Sequence, residues 1–446
     1  NERIIDWIRK MMKEKEEQHL EWLQQHQTTE PHLGLERVRR LLALRGNPHL
    51  QVSVIHVAGT NGKGSTIAHL RQLLQAKKLR VGTFTSPYLM SYNEQIAING
   101  VSISDQDFHS LLQTYQGLLK KQADDTILQE ITEFEIITVL AYEYFLQQQV
   151  DVVIMEVGLG GLLDSTNVCQ PDLTAITTIG LDHTAILGTS LADIAEQKAG
   201  IIKEGVPLVT GKIASEPLAV IHNKAQQLQS PHVCYGQDYQ VELVQSSAEV
   251  EEFLFSNACR LKEGYQSALF GVHQVENAGL ALELCDHYCY LKGLPLLRQD
   301  EIRRALKQTY WPARLEKIST APLIFLDGAH NPHAMKALSA SIESHFPDYQ
   351  KKVLFSCIQT KDVQEMIALL KEVPQVQLLL TSFADARSFS KEEMQGLAKN
   401  EKLAFVNWEH YLTQYQRDEH EEKELLLITG SLYFLAEVRK YLLNDR

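Results

Sequence analysis

The chain has 446 residues, 44% of them hydrophobic and 22% charged, with a formal net charge of −13. That length points to about two or three domains, the composition is that of an ordinary globular protein, and no apolar run approaches the roughly 20 residues that span a bilayer. The acidic balance argues against a nucleic-acid partner, whose binding domains carry clustered Lys and Arg, so anionic substrates must be captured by local cations.

Within residues 4–23, Ile4, Ile5, Ile8, Met11 and Met12 stand at helical spacing. Leu35, Val38, Leu41 and Leu42 repeat the pattern until Gly46-Asn47-Pro48 stops it, so two helices open the chain. The first residues, Asn1 to Asp6, lack the basic region and apolar core of a signal peptide, and a cytoplasmic location is expected. Val52 to Ala58 is a compact, β-branched run followed by a glycine-rich turn and a helical segment, Thr66 to Gln75: strand, phosphate loop, helix. Alternation continues through a strand at 79–85, a helix at 134–148, a buried strand at 150–157, a strand at 173–179 and a helix at 191–198. This is the pattern of a mostly parallel sheet covered by helices. From 206 to 271 the pattern weakens to short strands and a helix near 217–229, and 273–291 returns to helix.

Trp311-Pro312-Ala313-Arg314 breaks a helix ending near Gln308, after which strands at 323–326, 353–356 and 376–381 alternate with helices at 332–346 and 363–370. The expected division is residues 1–308, a linker at 309–314 and a second α/β domain at 315–446. Cys169, Cys234, Cys259, Cys285, Cys289 and Cys357 read as buried small hydrophobes in a reducing compartment, with Cys285 and Cys289 four apart on one helix face. The charge-rich stretch 417–424 reads as a solvated loop or helix end.

The strongest chemical signal is Gly59-Thr60-Asn61-Gly62-Lys63-Gly64-Ser65-Thr66. Small residues let backbone N–H groups close on phosphate oxygens, Lys63 adds a cation, and the next helix offers its N-terminus. Gly64 separates Lys63 from Ser65, unlike the standard Walker sequence, so the motif does not assign the hydroxyl of Ser65 or Thr66 to a magnesium ion. Ser86, Glu156 and Asp182-His183 all follow expected strand ends, where open α/β sheets bind ligands.

The phosphate loop, with segments from Gly34-Leu35-Glu36-Arg37 to Thr429-Gly430-Ser431, resembles the folylpolyglutamate and dihydrofolate synthases, relatives of the Mur ligases, over nearly the whole chain. The resemblance implies an α/β fold: a P-loop-containing, mostly parallel sheet domain like the Mur ligase central domain, then a smaller Rossmann-like domain. It implies ATP on Gly59 to Ser65, with Asn277 at the adenine, Arg314 at the phosphates and Asp327 at the ribose or nucleotide. It implies magnesium on Ser86, Glu156 and His183, a second ion on Lys198 once carbamylated, His330 near the phosphates or the incoming glutamate, and Ser431 near the glutamate. For a hard cation, chemistry alone favours Asp182 over His183.

The implied reaction is ATP-dependent addition of L-glutamate to the γ-carboxylate of a folate. The γ-phosphoryl group passes to the carboxylate, with Lys63, His183, Lys198 and His330 as catalytic groups, and the glutamate amine attacks the acyl phosphate. A hinge near 308–314 would close the site against water. The expected partners are small molecules (folate, L-glutamate and ATP), with no nucleic acid or membrane, and the expected state is a monomer. Alternatives are a dihydrofolate synthase using dihydropteroate, an enzyme with both activities, or a nucleotide-driven switch.

Overall fold

The computed structural model describes residues 16–28, 32–247, 250–359 and 362–444. Of the first expected helix, residues 16–24 are helical and residues 4–15 lie outside the described residues. The second is the helix Glu36–Leu44, which buries Val38, Leu41 and Leu42.

An eight-stranded sheet comprises β1 (Val54–Ala58), β2 (Val81–Phe84), β3 (Ile96–Ile98), β4 (Val101–Ser102), β5 (Val152–Glu156), β6 (Leu173–Ile176), β7 (Leu208–Thr210) and β8 (His232–Cys234). Their spatial order is β4-β3-β2-β5-β1-β6-β7-β8. β3 pairs antiparallel with both β2 and β4, and every other pairing is parallel. The central strands β1, β5 and β6 are buried along their whole length because both faces are covered. Ile55, Val57, Val152 and Ile154 face one core with helices Lys63–Ala76 and Val272–Leu291, while Val54, Val153 and Met155 face another with helix Glu133–Gln147. The order brings the carboxyl ends of β2, β5, β1 and β6 side by side.

The weakly patterned stretch after residue 206 resolves into β7, helix Ser215–Gln227, β8 and a separate antiparallel sheet of β9 (Gln240–Ser246), β10 (Glu251–Asn257) and β11 (Arg260–Ser267). A second α/β unit carries β12 (Glu316–Thr320), β13 (Leu323–Asp327), β14 (Gln350–Phe355), β15 (Val376–Leu380), β16 (Ala404–Phe405) and β17 (Glu424–Thr429) in the order β12-β13-β17-β14-β15-β16. Only β12 is antiparallel to its neighbour, and register sets Asp327 beside Thr429 at adjoining strand ends. One expectation needs correction: Cys259 is exposed, in the β10–β11 turn, whereas the other five cysteines are buried.

A buried ion pair joins the small sheet to the second unit. His345, ending helix Pro332–His345, directs Nδ1 to the Ser341 carbonyl and Nε2 to the Glu251 carboxylate of β10. With an acceptor at each ring nitrogen, both nitrogens carry protons and the ring is an imidazolium. Burial lowers its pKa, but Glu251 outweighs this and the net shift is upward from 6.5. Breaking such a pair from one side costs about 3–5 kcal/mol. We therefore expect Glu251→Gln to lower the melting temperature sharply below about pH 6.5, where the unfolded histidine is also charged. The penalty should shrink as pH rises through the raised folded pKa, which calorimetric melts across pH would read.

Candidate active site

The four adjoining strand ends open into a cavity of about 480 Å³ whose other wall comes from the second α/β unit. Gly59 to Ser65, Ser86, Glu156, His183, Lys198, Asn277, Arg314, Asp327 and His330 all line it. Ser431 does not: its hydroxyl accepts from Tyr433 N at 3.3 Å at the start of helix Leu432–Asn444, and Leu432 reaches the cavity instead.

Leaving β1, the chain turns at Gly59 with φ 150°, where a Cβ would stand 1.9 Å from Thr177 Oγ1. Gly62 has φ 85°, with room for a Cβ denied by Asn277 Oδ1 at 2.4 Å. Only glycine meets both demands. Thr177 and Thr178, just beyond β6, fasten the loop: both hydroxyls donate to the Asn61 carbonyl, at 2.6 and 3.1 Å, and Asn61 N donates back to Thr178 Oγ1 at 3.0 Å. Neither threonine was singled out from sequence, because a hydroxyl just past a strand end looks like any turn residue. Ser65 faces the cavity, whereas Thr66 is buried outside its lining with Oγ1 lacking a hydrogen-bond partner.

Two ammonium groups converge on one carbonyl. Lys63 Nζ lies 2.9 Å and Lys198 Nζ 3.1 Å from Gly59 O. Burial, then the charge of Lys63, pulls the Lys198 pKa down to about 7. Glu156 lies near them, its pKa pushed up to about 7 by burial against the opposing pull of Lys63, and it accepts a 3.2 Å bond from Ser86 N. Behind it, Asp164 accepts from Leu159 N at 2.8 Å and Thr166 N at 3.0 Å, fixing the loop after β5.

These groups fit a hard cation in a particular way. Among the described residues no three His, Cys, Asp or Glu side chains cluster closely enough to hold an ion by themselves. Glu156 is nonetheless a buried carboxylate with few donors, and the Ser86 hydroxyl shares its cavity. His183 is strained at φ 48°, and its ring is 54% exposed and so able to swing. A magnesium ion held here would complete its shell with water and substrate phosphate oxygens, as that ion usually does. Lys198 fits only in modified form, since an ammonium has no lone pair to offer.

The second unit grips this loop directly. Asn331 Nδ2 donates to Asp182 Oδ2 at 3.1 Å and Asn61 Oδ1 at 3.3 Å, while its Oδ1 caps its own helix through Ala334 N at 2.8 Å. Asn61 Nδ2 meets His333 Nδ1 at 2.7 Å, a contact sequence reading did not foresee. Arg314 is held by strain, between Ala313 at φ 54° and Leu315 at φ 42°. Each such residue costs about 1–3 kcal/mol, offset where Glu316 accepts from Ala313 N at 2.9 Å and Asp327 from Leu315 N at 2.8 Å. Asp327 also accepts from Ala329 N at 2.9 Å, so one oxygen serves the linker and the other the turn. His330, neutral through burial, sets Nδ1 2.8 Å from Gly328 O. Asn277, expected at the adenine, shares the cavity with Gln274, which takes its amide at 3.0 Å.

Comparison with known proteins identifies the family. The Mur ligase middle domain matches residues 57–285, and the glutamate ligase domain of Mur ligases matches residues 313–432. The dihydrofolate synthase/folylpolyglutamate synthase of Bacillus subtilis (strain 168) is 36% identical over 410 residues, 92% of this chain and 95% of that protein. The folylpolyglutamate synthase of Lacticaseibacillus casei is 34% identical over 92% of this chain and 94% of its own length. The apo form of the L. casei enzyme superposes with a TM-score of 0.84 at 31% identity, covering 96% of this chain and 99% of that one. A folylpolyglutamate synthase complex with AMPPCP and folate gives 0.81 at 32% identity and the same coverage.

The loop geometry yields a test. Gly59→Ala must displace Thr177, and we expect it to weaken nucleoside triphosphate binding about tenfold or more by calorimetry. Gly117→Ala, which meets nothing within 4 Å, should bind as the parent does.

Proposed function

Because the chain belongs to the Mur ligase family, in its folylpolyglutamate and dihydrofolate synthase branch, and is an ATP-dependent ligase, we propose that it adds L-glutamate to the γ-carboxylate of tetrahydrofolate. We propose the division 1–308, 309–314 and 315–446 for its domains, a monomeric state and a cytoplasmic location. No helix among the described residues is long and apolar enough to cross a membrane. The observation that carries the reading is the shared cavity: a phosphate loop on one α/β unit faces Asp327 to His330 on another, as two substrates meeting over one phosphoryl group require.

In this reading Gly59 to Ser65 cradle the ATP phosphates, Asn277 meets the base, and Arg314 and the Asp327 turn close over the nucleotide. Ser86, Glu156 and His183 would hold magnesium and a carbamylated Lys198 a second ion, whose charge would offset that of the phosphates. An amine with a pKa near 7 is about half neutral at neutral pH, so Lys198 is poised to attack carbon dioxide. The new C–N bond and a lost proton leave a carbamate anion, which also relieves the repulsion between Lys198 and Lys63. Lys63 follows the γ-phosphoryl group as the folate carboxylate oxygen takes it and the bond to the bridging oxygen breaks, leaving ADP. His330 and the start of the last helix, at Ser431, border the glutamate, whose amine attacks the acyl phosphate and releases phosphate. The Asn331 contacts hold the two units together and keep water from the intermediate.

Lys198→Ala should lower kcat on the order of 10²-fold or more, with partial recovery when a small carboxylate is added, and the intact parent mass should show one carbon dioxide adduct. Unchanged turnover in the variant would remove Lys198 from the mechanism. The function itself is tested by glutamate-dependent phosphate release with tetrahydrofolate and dihydropteroate assayed side by side. Turnover with tetrahydrofolate alone is expected. Turnover with both would give the enzyme the double activity named for its B. subtilis relative, and release without glutamate would indicate a nucleotide-driven switch.

A further inference from the structure

The glycine that separates Lys63 from Ser65 is not explained by backbone geometry. Gly64 lies in the first turn of helix Lys63–Ala76, where its φ is not positive and glycine is a poor helix former. Its missing side chain makes room for the linker instead. A Cβ on Gly64 would stand 2.8 Å from Nε1 of Trp311 and 2.9 Å from Cε2 and Cζ2 of the same ring. Those are the three nearest atoms, so a side chain there would run into the indole of Trp311, a half-buried residue that does not itself line the cavity.

Trp311 is the last of three linker residues laid along this helix. Gln72 Nε2 donates to Gln308 O at 3.2 Å. His69, kept neutral by burial that pulls its pKa down to about 3, has Nδ1 3.1 Å from Thr309 Oγ1. The Thr309 hydroxyl gives its own proton to Ala305 O, so His69 Nδ1 is the donor. From Ala313 onward the linker is held by the second unit instead. Ala313 N donates to Glu316 at 2.9 Å, Gly328 N to Ala313 O at 2.8 Å, and Leu315 N to Asp327 at 2.8 Å. Only Pro312, whose ring fixes φ, stands between the two anchorages. The seat of the Trp311 indole on Gly64 is therefore where the position of Arg314 relative to the phosphate loop is set.

We infer that Trp311 is a positioning residue for the nucleotide site: its indole, seated on Gly64, holds Arg314 and the phosphate loop in register so that both meet the same phosphates. The inference rests on the reading that places ATP on Gly59 to Ser65 and on Arg314. It also accounts for the glycine after Lys63, since a large flat ring packs this closely only where the helix carries no side chain.

Trp311→Leu and Trp311→Phe, each alone and combined with Arg314→Ala, would be titrated calorimetrically with magnesium-AMPPCP, alongside thermal melts that confirm folding. We expect Trp311→Leu to weaken binding about fivefold or more, and Trp311→Phe to weaken it less, because a smaller ring can still lie on Gly64. In the Arg314→Ala background the Leu substitution should cost less than about twofold, since the residue that Trp311 positions is gone. Equal binding by parent and Leu variant would overturn the inference. So would a loss of the same size with and without Arg314, which is the mark of a general structural role. If the Leu variant does not fold, Trp311→Phe is read in its place: a loss that vanishes with Arg314 supports the inference, and no loss or an undiminished one overturns it. Arg314→Ala separates the two readings. Should it alone leave binding unchanged, the placement of Arg314 at the phosphates fails and the inference with it, whereas weakening by Arg314→Ala with indifferent Trp311 variants counts against Trp311 alone.

Discussion

The whole site turns on the carbonyl of Gly59, which accepts hydrogen bonds from Lys63 and Lys198 at once. Burial first, and then repulsion by the Lys63 ammonium that shares this acceptor, lowers the Lys198 pKa so that it gives up its proton near neutrality. Glu156 mirrors the situation from the other side: a buried carboxylate whose pKa has risen to meet that of the lysine. The charges are left unbalanced for a polyanion and its accompanying cation to balance. Gly59 can hold this position because its φ of 150° suits glycine and because Thr177 fills the space a side chain would need. The parallel order β2-β5-β1-β6 in turn delivers Ser86, Glu156, Gly59 and Thr177 to one edge.

The second unit completes the cavity by polar contacts rather than by a large apolar interface at this point. One amide, Asn331, caps its own helix and reaches both the phosphate loop and Asp182, so the orientation of the second unit and the shape of the loop are coupled. The linker that sets that orientation is strained on both sides of Arg314 and held by Glu316 and Asp327. Strain stored beside a charged residue at a domain junction is the form expected of a part that moves during turnover.

Much of this was legible locally. The glycine loop after β1, the acid at the end of β5 and the Asp327 turn before a Pro-initiated helix each announce themselves through residue types that backbone geometry demands. The sheet of β9 to β11 was less clear, because β9 is exposed along most of its length and shows no alternation. Other features depend on distant partners. Nothing in the sequence near Asn61 says that its side chain turns to Asn331 and His333, nor near Asp327 that its oxygens are spent on Leu315 and Ala329. Nor does the sequence near Ser431 say that its hydroxyl turns to Tyr433 N while Leu432 lines the cavity.

The most direct measurement is isotope transfer. With ¹⁸O in the acceptor's γ-carboxylate and unlabelled magnesium-ATP and glutamate, an acyl-phosphate ligase delivers one labelled oxygen to each phosphate released, as mass spectrometry would show. Phosphate carrying no label, formed in step with amide product, would contradict phosphoryl transfer to the carboxylate and with it the account of the site given above.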